Sequence, residues 1–371
     1  MEHAWIAGKP AALDTAIAEA AKLLASSRHP LIAGLGTDVA GARAAIALAE
    51  RVGALIDHLH ADALLRNLDV MRSSGVLLTT PSEAHVRADT LLLVGTGLSE
   101  TWPELPRRLF GTMRQSQSAA DVERRIYRIC PGRDSAIPAL EKGTAVAIGK
   151  EPGELPALLA TLRARVAGRP IGKTRVSSRM LDEVATGLKA AQFGVAIWSA
   201  ATLDALTIEI LCGLLNDLNS ATRFSGLLLA PADNAVGVMQ TCAWLTGLPM
   251  RTGFGRGFPQ HDPWLFDSRR LTASGETDCV LWISAYRPAA PAWREALPTI
   301  ALTGRDANFH APPRVHIAVG RPGVDHNGVE HLPLIGALAS FEAKEPSDTI
   351  SVADAIARIA AILARTGERA C

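Results

Sequence analysis

Short apolar runs alternate with helical periods along the whole chain. In the first half the runs are PLIAGLG (30–36), ALIDH (54–58), TLLLVGTG (90–97), IYRIC (126–130) and AVAIG (145–149). Continuous runs of this length predict strands buried on both faces, as in a parallel sheet covered by helices. Leu13, Ile17, Ala20 and Leu24 recur at helical spacing and predict one apolar stripe on a helix ahead of the first strand. Residues 38–51 predict a second helix between the first two strands, and residues 153–166 a later one.

The second half repeats the scheme. FGVAIWS (193–199), FSGLLLA (224–230), CVLWISA (279–285), TIALTG (299–304) and RVHIAVG (314–320) predict strands, with helices over 202–215 and 234–245. Two sets of five strands with crossover helices predict an α/β protein of two tandem Rossmann-like doubly wound domains with mainly parallel sheets. The turn-rich stretch GRPIGKT (168–174) places the division there. The expected domains are 1–168 and 169–320. Residues 321–371 form a tail whose helix begins at the capping box of Ser351 and Asp354. Its stripe of Val352, Ile356, Ile359 and Leu363 must be buried, and the first domain is the expected place.

With 48% hydrophobic residues, 20% charged residues and a formal net charge of +1, the chain is neither disordered nor a polyanion binder by bulk charge. No nucleic-acid partner is expected. No apolar stretch approaches the ~20 residues of a membrane helix, and the N-terminus carries no basic and apolar leader, so no membrane contact and a cytoplasmic location are expected. Five cysteines, Cys130, Cys212, Cys242, Cys279 and Cys371, lie far apart with no C-x-x-C. That spacing suits core thiols better than an iron–sulfur or zinc site.

Three stretches are candidates for chemistry. AGLGTDVAG (33–41) follows a strand and opens a helix, but a dinucleotide fingerprint needs a third glycine where Val39 stands. A strand-to-helix turn is the favoured reading. HLHAD (58–62) sets His58, His60 and Asp62 at alternate positions after the second strand, the spacing at which an extended segment presents three ligands to zinc. A catalytic zinc needs further ligands from later strands, so two hydrogen-bonded histidines are the default. RTGFGRGFPQHDPW (251–264) is glycine-rich, and Gly255 with Arg256 could bring backbone and charge to a ligand. No catalytic residue can be assembled from spacing alone. Trp5, Trp102, Trp264 and Trp293 fall outside the strand cores and are expected as interface anchors.

The order of these pieces resembles a known family. RHPLIAGLGTDVAGARAAIALAERVGALID, SEAHVRADTLLLVGTG, AWLTGLPMRTGFGRGFPQHDPWLF and the tail LPLIGALASFEAKEPSDTISVADAI are similar to the B subunit of formylmethanofuran dehydrogenase, of the molybdopterin oxidoreductase superfamily. The glycine and aromatic loop is the most specific part. The resemblance implies a cysteine-rich domain for a [4Fe–4S] cluster and a Cys or selenocysteine ligand to molybdenum or tungsten. Neither is found, and no cysteine occurs in the expected loop 58–88, where the ligand position falls near Ala63.

The pattern therefore resembles the truncated B subunit of the bacterial formyltransferase/hydrolase complex. That resemblance implies a non-catalytic structural subunit beside subunits A, C and D. The complex transfers a formyl group from tetrahydromethanopterin to a methanofuran-like carrier and releases formate. No cofactor or metal is expected in this chain, zinc being expected in the amidohydrolase-like partner. His58, His60, Asp62, Gly255 and Arg256 would line what is left of the old cofactor cleft. The alternatives are an active molybdenum- or tungsten-pterin formylmethanofuran dehydrogenase subunit and a stand-alone nucleotide- or metal-binding protein.

Overall fold

The computed structural model describes residues 3–110, 113–114, 121–122, 124–132, 145–293 and 297–367. The chain opens with β1 (Ala4–Ile6), β2 (Lys9–Pro10), α1 (Leu13–Ser26), β3 (Pro30–Gly36), α2 (Val39–Val52) and β4 (Leu55–Ile56). Next come α3 (Ala61–Ser74), α4 (Pro81–Arg87), β5 (Thr90–Val94), α5 (Leu98–Thr101), α6 (Leu105–Leu109), β6 (Met113–Arg114) and β7 (Asp121–Val122). They are followed by β8 (Arg125–Ile129), β9 (Ala145–Ile148), α7 (Leu155–Val166), α8 (Ser178–Lys189), β10 (Gly194–Trp198), α9 (Ala205–Leu218) and β11 (Phe224–Leu228). Then α10 (Ala235–Thr246), β12 (Thr252–Gly253), β13 (Gln260–His261), α11 (Ser268–Ser274), β14 (Cys279–Ser284), β15 (Thr299–Thr303) and β16 (Val315–Ala318) lead to β17 (Gly328–Leu332), β18 (Ala337–Phe341) and α12 (Val352–Gly367).

The α/β, Rossmann-like class with mainly parallel sheets holds, but the tandem division at 168–174 does not. One unit takes residues 1–61, 232–331 and 338–371; the other takes 62–231 and 332–337. The first unit's sheet runs β13-β12-β4-β3-β14-β15-β16-β1-β2, and the second's runs β11-β10-β5-β8-β9. Strands β10 and β14, expected in one domain, thus belong to different sheets. An apolar run reveals that a strand is buried on both faces. Its pairing partner depends on contacts between residues far apart in sequence, which periodicity does not carry.

Within the first unit, β4, β3, β14, β15 and β16 are parallel, while β1, β2, β12 and β13 close the two flanks antiparallel. Every residue of β3 is buried; Leu31 and Ile32 have no exposed surface, and each contributes about 1.5–3 kcal/mol by burial. Asp38 caps α2 by accepting from the Gly41 amide at 3.0 Å, and Gly53 ends it in the left-handed region at φ +67°. Helix α12 packs on α1 and α2 through Val352, Ala355, Ile356 and Ile359, and Ser351 caps it by accepting from the Asp354 amide at 3.0 Å.

The second unit's sheet is wholly parallel. Two apolar clusters build its core, one of them holding Leu92, Val94, Ile129, Leu159, Leu188, Trp198 and Phe224. The stretch 58–88, expected as a loop, carries two helices, α3 and α4. Among the described residues no helix is long and apolar enough to cross a membrane.

Candidate functional site

In the first unit the strand order reverses at β3: β4, next in the chain, lies on one side and β14 on the other. The carboxyl ends of such strands form the crevice where open α/β sheets hold ligands. Residues 57–60 leave β4, residues 36–38 leave β3, and residues 284–287 leave β14 at this edge. Asp233 and Asn234, ahead of α10, come to the same place and carry consecutive positive φ angles of +58° and +55°. Aspartate and asparagine tolerate that conformation better than other residues with side chains.

Asp233 is the centre of a closed network. Its side chain is only 2% exposed. His60 Nε2 donates to its Oδ2 at 3.2 Å, since a carboxylate can only accept. Arg287 forks onto it, with Nε donating to Oδ1 at 2.9 Å and Nη2 donating to Oδ2. Burial by itself would raise the Asp233 pKa; the hydrogen bonds from His60 and Arg287, with the Arg287 charge, outweigh it and bring it to about 2. The backbone carbonyl of Asp233 accepts from His58 Nε2 at 3.2 Å, while His58 Nδ1 accepts the His60 amide at 3.0 Å. Those two bonds fix one neutral tautomer of His58. Burial, reinforced by the neighbouring His60, pushes its pKa down to about 3. Asn234 completes the lock, donating from Nδ2 to the Thr37 carbonyl and accepting the His331 amide at Oδ1, both at 2.9 Å.

A second buried cluster begins one residue earlier. Asp57 Oδ2 accepts the Ser268 amide at 2.9 Å, and its Oδ1 lies 3.5 Å from Arg251 Nε. Arg251 also pairs with Asp267 at 2.5 Å and donates to the Pro263 carbonyl. Burial outweighs the Arg251 charge, which is shared with Asp267, and raises the Asp57 pKa to about 6.

The five residues expected to line one cleft separate. His58 and His60 meet, with ring centroids 5.7 Å apart. Asp62 instead lies in the first turn of α3, in the second unit. Gly255 and Arg256 are exposed in the turn between β12 and β13. Because β12 runs antiparallel to β4, this turn lies at the amino end of β4, where the Phe254 amide donates to the Ala54 carbonyl at 3.1 Å. The carboxylate at the histidines is Asp233, a residue that motif spacing does not single out. The stretch PADN (231–234) after a strand and before a helical period is the available signal. Arg287 and the Asp57–Arg251 pair carry none. Of the four tryptophans, Trp264 is 67% exposed; Trp5 stacks on His316, Trp102 packs on a core cluster and Trp293 sets its edge against Trp282.

Among the described residues no group of three or more His, Cys, Asp or Glu side chains could hold a metal ion. The position at which the resemblance implies a molybdenum or tungsten ligand offers no ligating side chain. Ala63 is 6% exposed and belongs to the apolar core of the second unit, with no thiolate or selenolate to offer. Burial pushes the thiols of Cys130, Cys212 and Cys242 up to about 11 and that of Cys279 to about 12, opposite to what a thiolate ligand requires. Cys371 lies outside the described residues.

No protein-family profile matches the chain. It is 35% identical over 349 residues to the B subunit of the formyltransferase/hydrolase complex Fhc of Methylorubrum extorquens, covering 93% of this chain and 92% of that protein. It is 28% identical over 284 residues to the B subunit of the tungsten-containing formylmethanofuran dehydrogenase 2 of Methanocaldococcus jannaschii, covering 73% of this chain and 64% of that one. In the crystal structure of the complex FhcABCD from M. extorquens with methylofuran, a chain 35% identical superposes with a TM-score of 0.87, covering 98% of this chain and 99% of its counterpart. A relative of this identity matched over nearly its whole length shows that the chain belongs to the B-subunit family of formyltransferase/hydrolase complexes.

Proposed function

We propose that the chain is the B subunit of a cytoplasmic formyltransferase/hydrolase complex and acts there as a structural partner of subunits A, C and D. In this reading the complex passes the formyl group of formyl-tetrahydromethanopterin to a methanofuran-like carrier and releases formate, as a step of formaldehyde oxidation. Formyl transfer and hydrolysis, with the zinc that hydrolysis uses, belong to the partner subunits. The observation that carries the reading is the near end-to-end match to the B subunit of the M. extorquens complex. The donor chemistry supports it. The sheet edge that could serve a ligand spends the two oxygens of Asp233 on His60 and Arg287, and the position near Ala63 is an apolar core.

Co-expression of the four subunits tests this. The expected outcome is a stoichiometric complex containing this chain, with formyl hydrolysis within a few-fold of the parent when His60→Asn is introduced. Stoichiometric molybdenum or tungsten in this chain would overturn the reading. So would an A–C–D assembly as stable and active without it.

A further inference from the structure

The second unit's sheet does not end at β11. Residues 77–79 run beside it in parallel, with the Gly226 amide donating to the Leu77 carbonyl at 2.7 Å and the Thr79 amide donating to the Gly226 carbonyl at 2.9 Å. That pattern uses the inward groups of Leu77 and Thr79 and turns the amide and carbonyl of Leu78 outward, away from the sheet. Neither has a backbone partner among the described residues. The side chains of this segment are apolar and exposed, Leu77 at 60% and Leu78 at 43%, and Ile335 on a neighbouring segment is 47% exposed. The segment carrying Ile335 is tied to the start of α4, where Ser82 donates from its amide and hydroxyl to the Leu334 carbonyl at 3.2 and 2.8 Å. Val86, one turn along α4 from Ser82, is 45% exposed.

We infer that this edge receives an extended, apolar segment of another subunit of the complex, which pairs with the Leu78 amide and carbonyl and covers Leu77, Leu78 and Ile335. The backbone selects the occupant. Any partner that covers these side chains also removes water from the Leu78 peptide groups, which must then find hydrogen bonds. A helix has no free backbone groups along its side; an extended segment supplies both a donor and an acceptor at strand spacing. The inference rests on the reading of the chain as a member of a hetero-oligomer.

Backbone hydrogen exchange at Leu78 is the test, measured in the isolated chain and in the four-subunit complex. The Leu78 amide is expected to exchange about tenfold or more slowly on assembly. Leu78→Pro removes the outward amide and leaves the bonds to Gly226 in place, so it is expected to weaken incorporation about tenfold, while Leu78→Val assembles like the parent. Equal Leu78 exchange in both states, with the chain stoichiometric in the complex, would overturn the inference and leave the proposed function intact. Protection that rises with concentration in the isolated chain would assign the edge to a second copy and overturn it too. A chain that never enters the complex would overturn both. If Leu78→Pro does not fold, the exchange measurement on the parent decides.

Discussion

Replacing His58 with Gln removes a buried imidazole that folding holds neutral, and the effect is read best as a change in pH dependence. The folded pKa of about 3 lies below the ordinary 6.5, so the stability linked to His58 is complete above pH 6.5 and is lost as pH falls towards 3. At about 1.4 kcal/mol per pKa unit, the loss from pH 7 to pH 5 is about 2 kcal/mol. Asp57 works the other way. Its folded pKa of about 6 lies above 3.8, so its contribution is greatest at low pH and is lost as pH rises through 6. Between pH 7 and pH 5 it returns about 1 kcal/mol. Two adjacent residues therefore offset each other in part, leaving a net loss of about 1 kcal/mol in the parent chain. His58→Gln should gain about 2 kcal/mol relative to the parent on going from pH 7 to pH 5, whatever pH-independent cost it carries. Asp57→Asn should lose about 1 kcal/mol over the same interval. His316 and His331, whose pKa values burial also lowers, are present in all three proteins and drop out of the differences. Urea unfolding at pH 5, 6 and 7 reads the slopes. A parent and a His58→Gln variant with parallel stability profiles would show that His58 takes up its proton in the folded chain, refuting the desolvated neutral imidazole.

The same unfolding assay checks two further expectations. Asn234→Ala loses the bonds to Thr37 and His331 and strains a residue at φ +55°, so a cost of about 2–3 kcal/mol is expected; Asn234→Gly should recover about 1 kcal/mol by relieving the strain alone. Gly34→Ala places a Cβ 2.5 Å from the Ile283 carbonyl oxygen at φ +80°, and should cost more than about 3 kcal/mol or abolish soluble expression, whereas an unchanged midpoint would contradict the close β3–β14 approach.

Strands β3, β5, β10 and β14 are legible in the sequence because five to seven consecutive residues in each are buried, and burial on both faces leaves a local mark. Their pairing leaves none. Strand β14 lies beside β3 because Gly34 admits the Trp282 ring where a side chain would collide, a complementarity between residues 248 positions apart. The site divides in the same way. His58 and His60 meet through a turn rather than an extended strand, the Ala61 amide donating to the His58 carbonyl at 2.9 Å, and Asp62 falls in the first turn of α3. A carboxylate 173 residues further on takes its place. The glycines of 251–264 suggest backbone offered to a ligand, yet a Cβ on Gly253 would lie 2.5 Å from the Leu55 side chain, so close packing of β12 on β4 also favours a glycine there.

What holds the sheet edge together is also physical. The loops after β3, β4 and β14 and the turn before α10 all carry polar backbone groups at strand ends, and each must be paired or hydrated. Here Asp233 and Asn234 do this from a single turn, at the cost of two left-handed residues in succession. That strain persists because both side chains are fully engaged: Asp233 by His60 and Arg287, Asn234 by Thr37 and His331. An edge organised in this way is ordered by its own side chains. Its geometry follows from internal hydrogen bonds, and it needs no bound ligand to hold its shape.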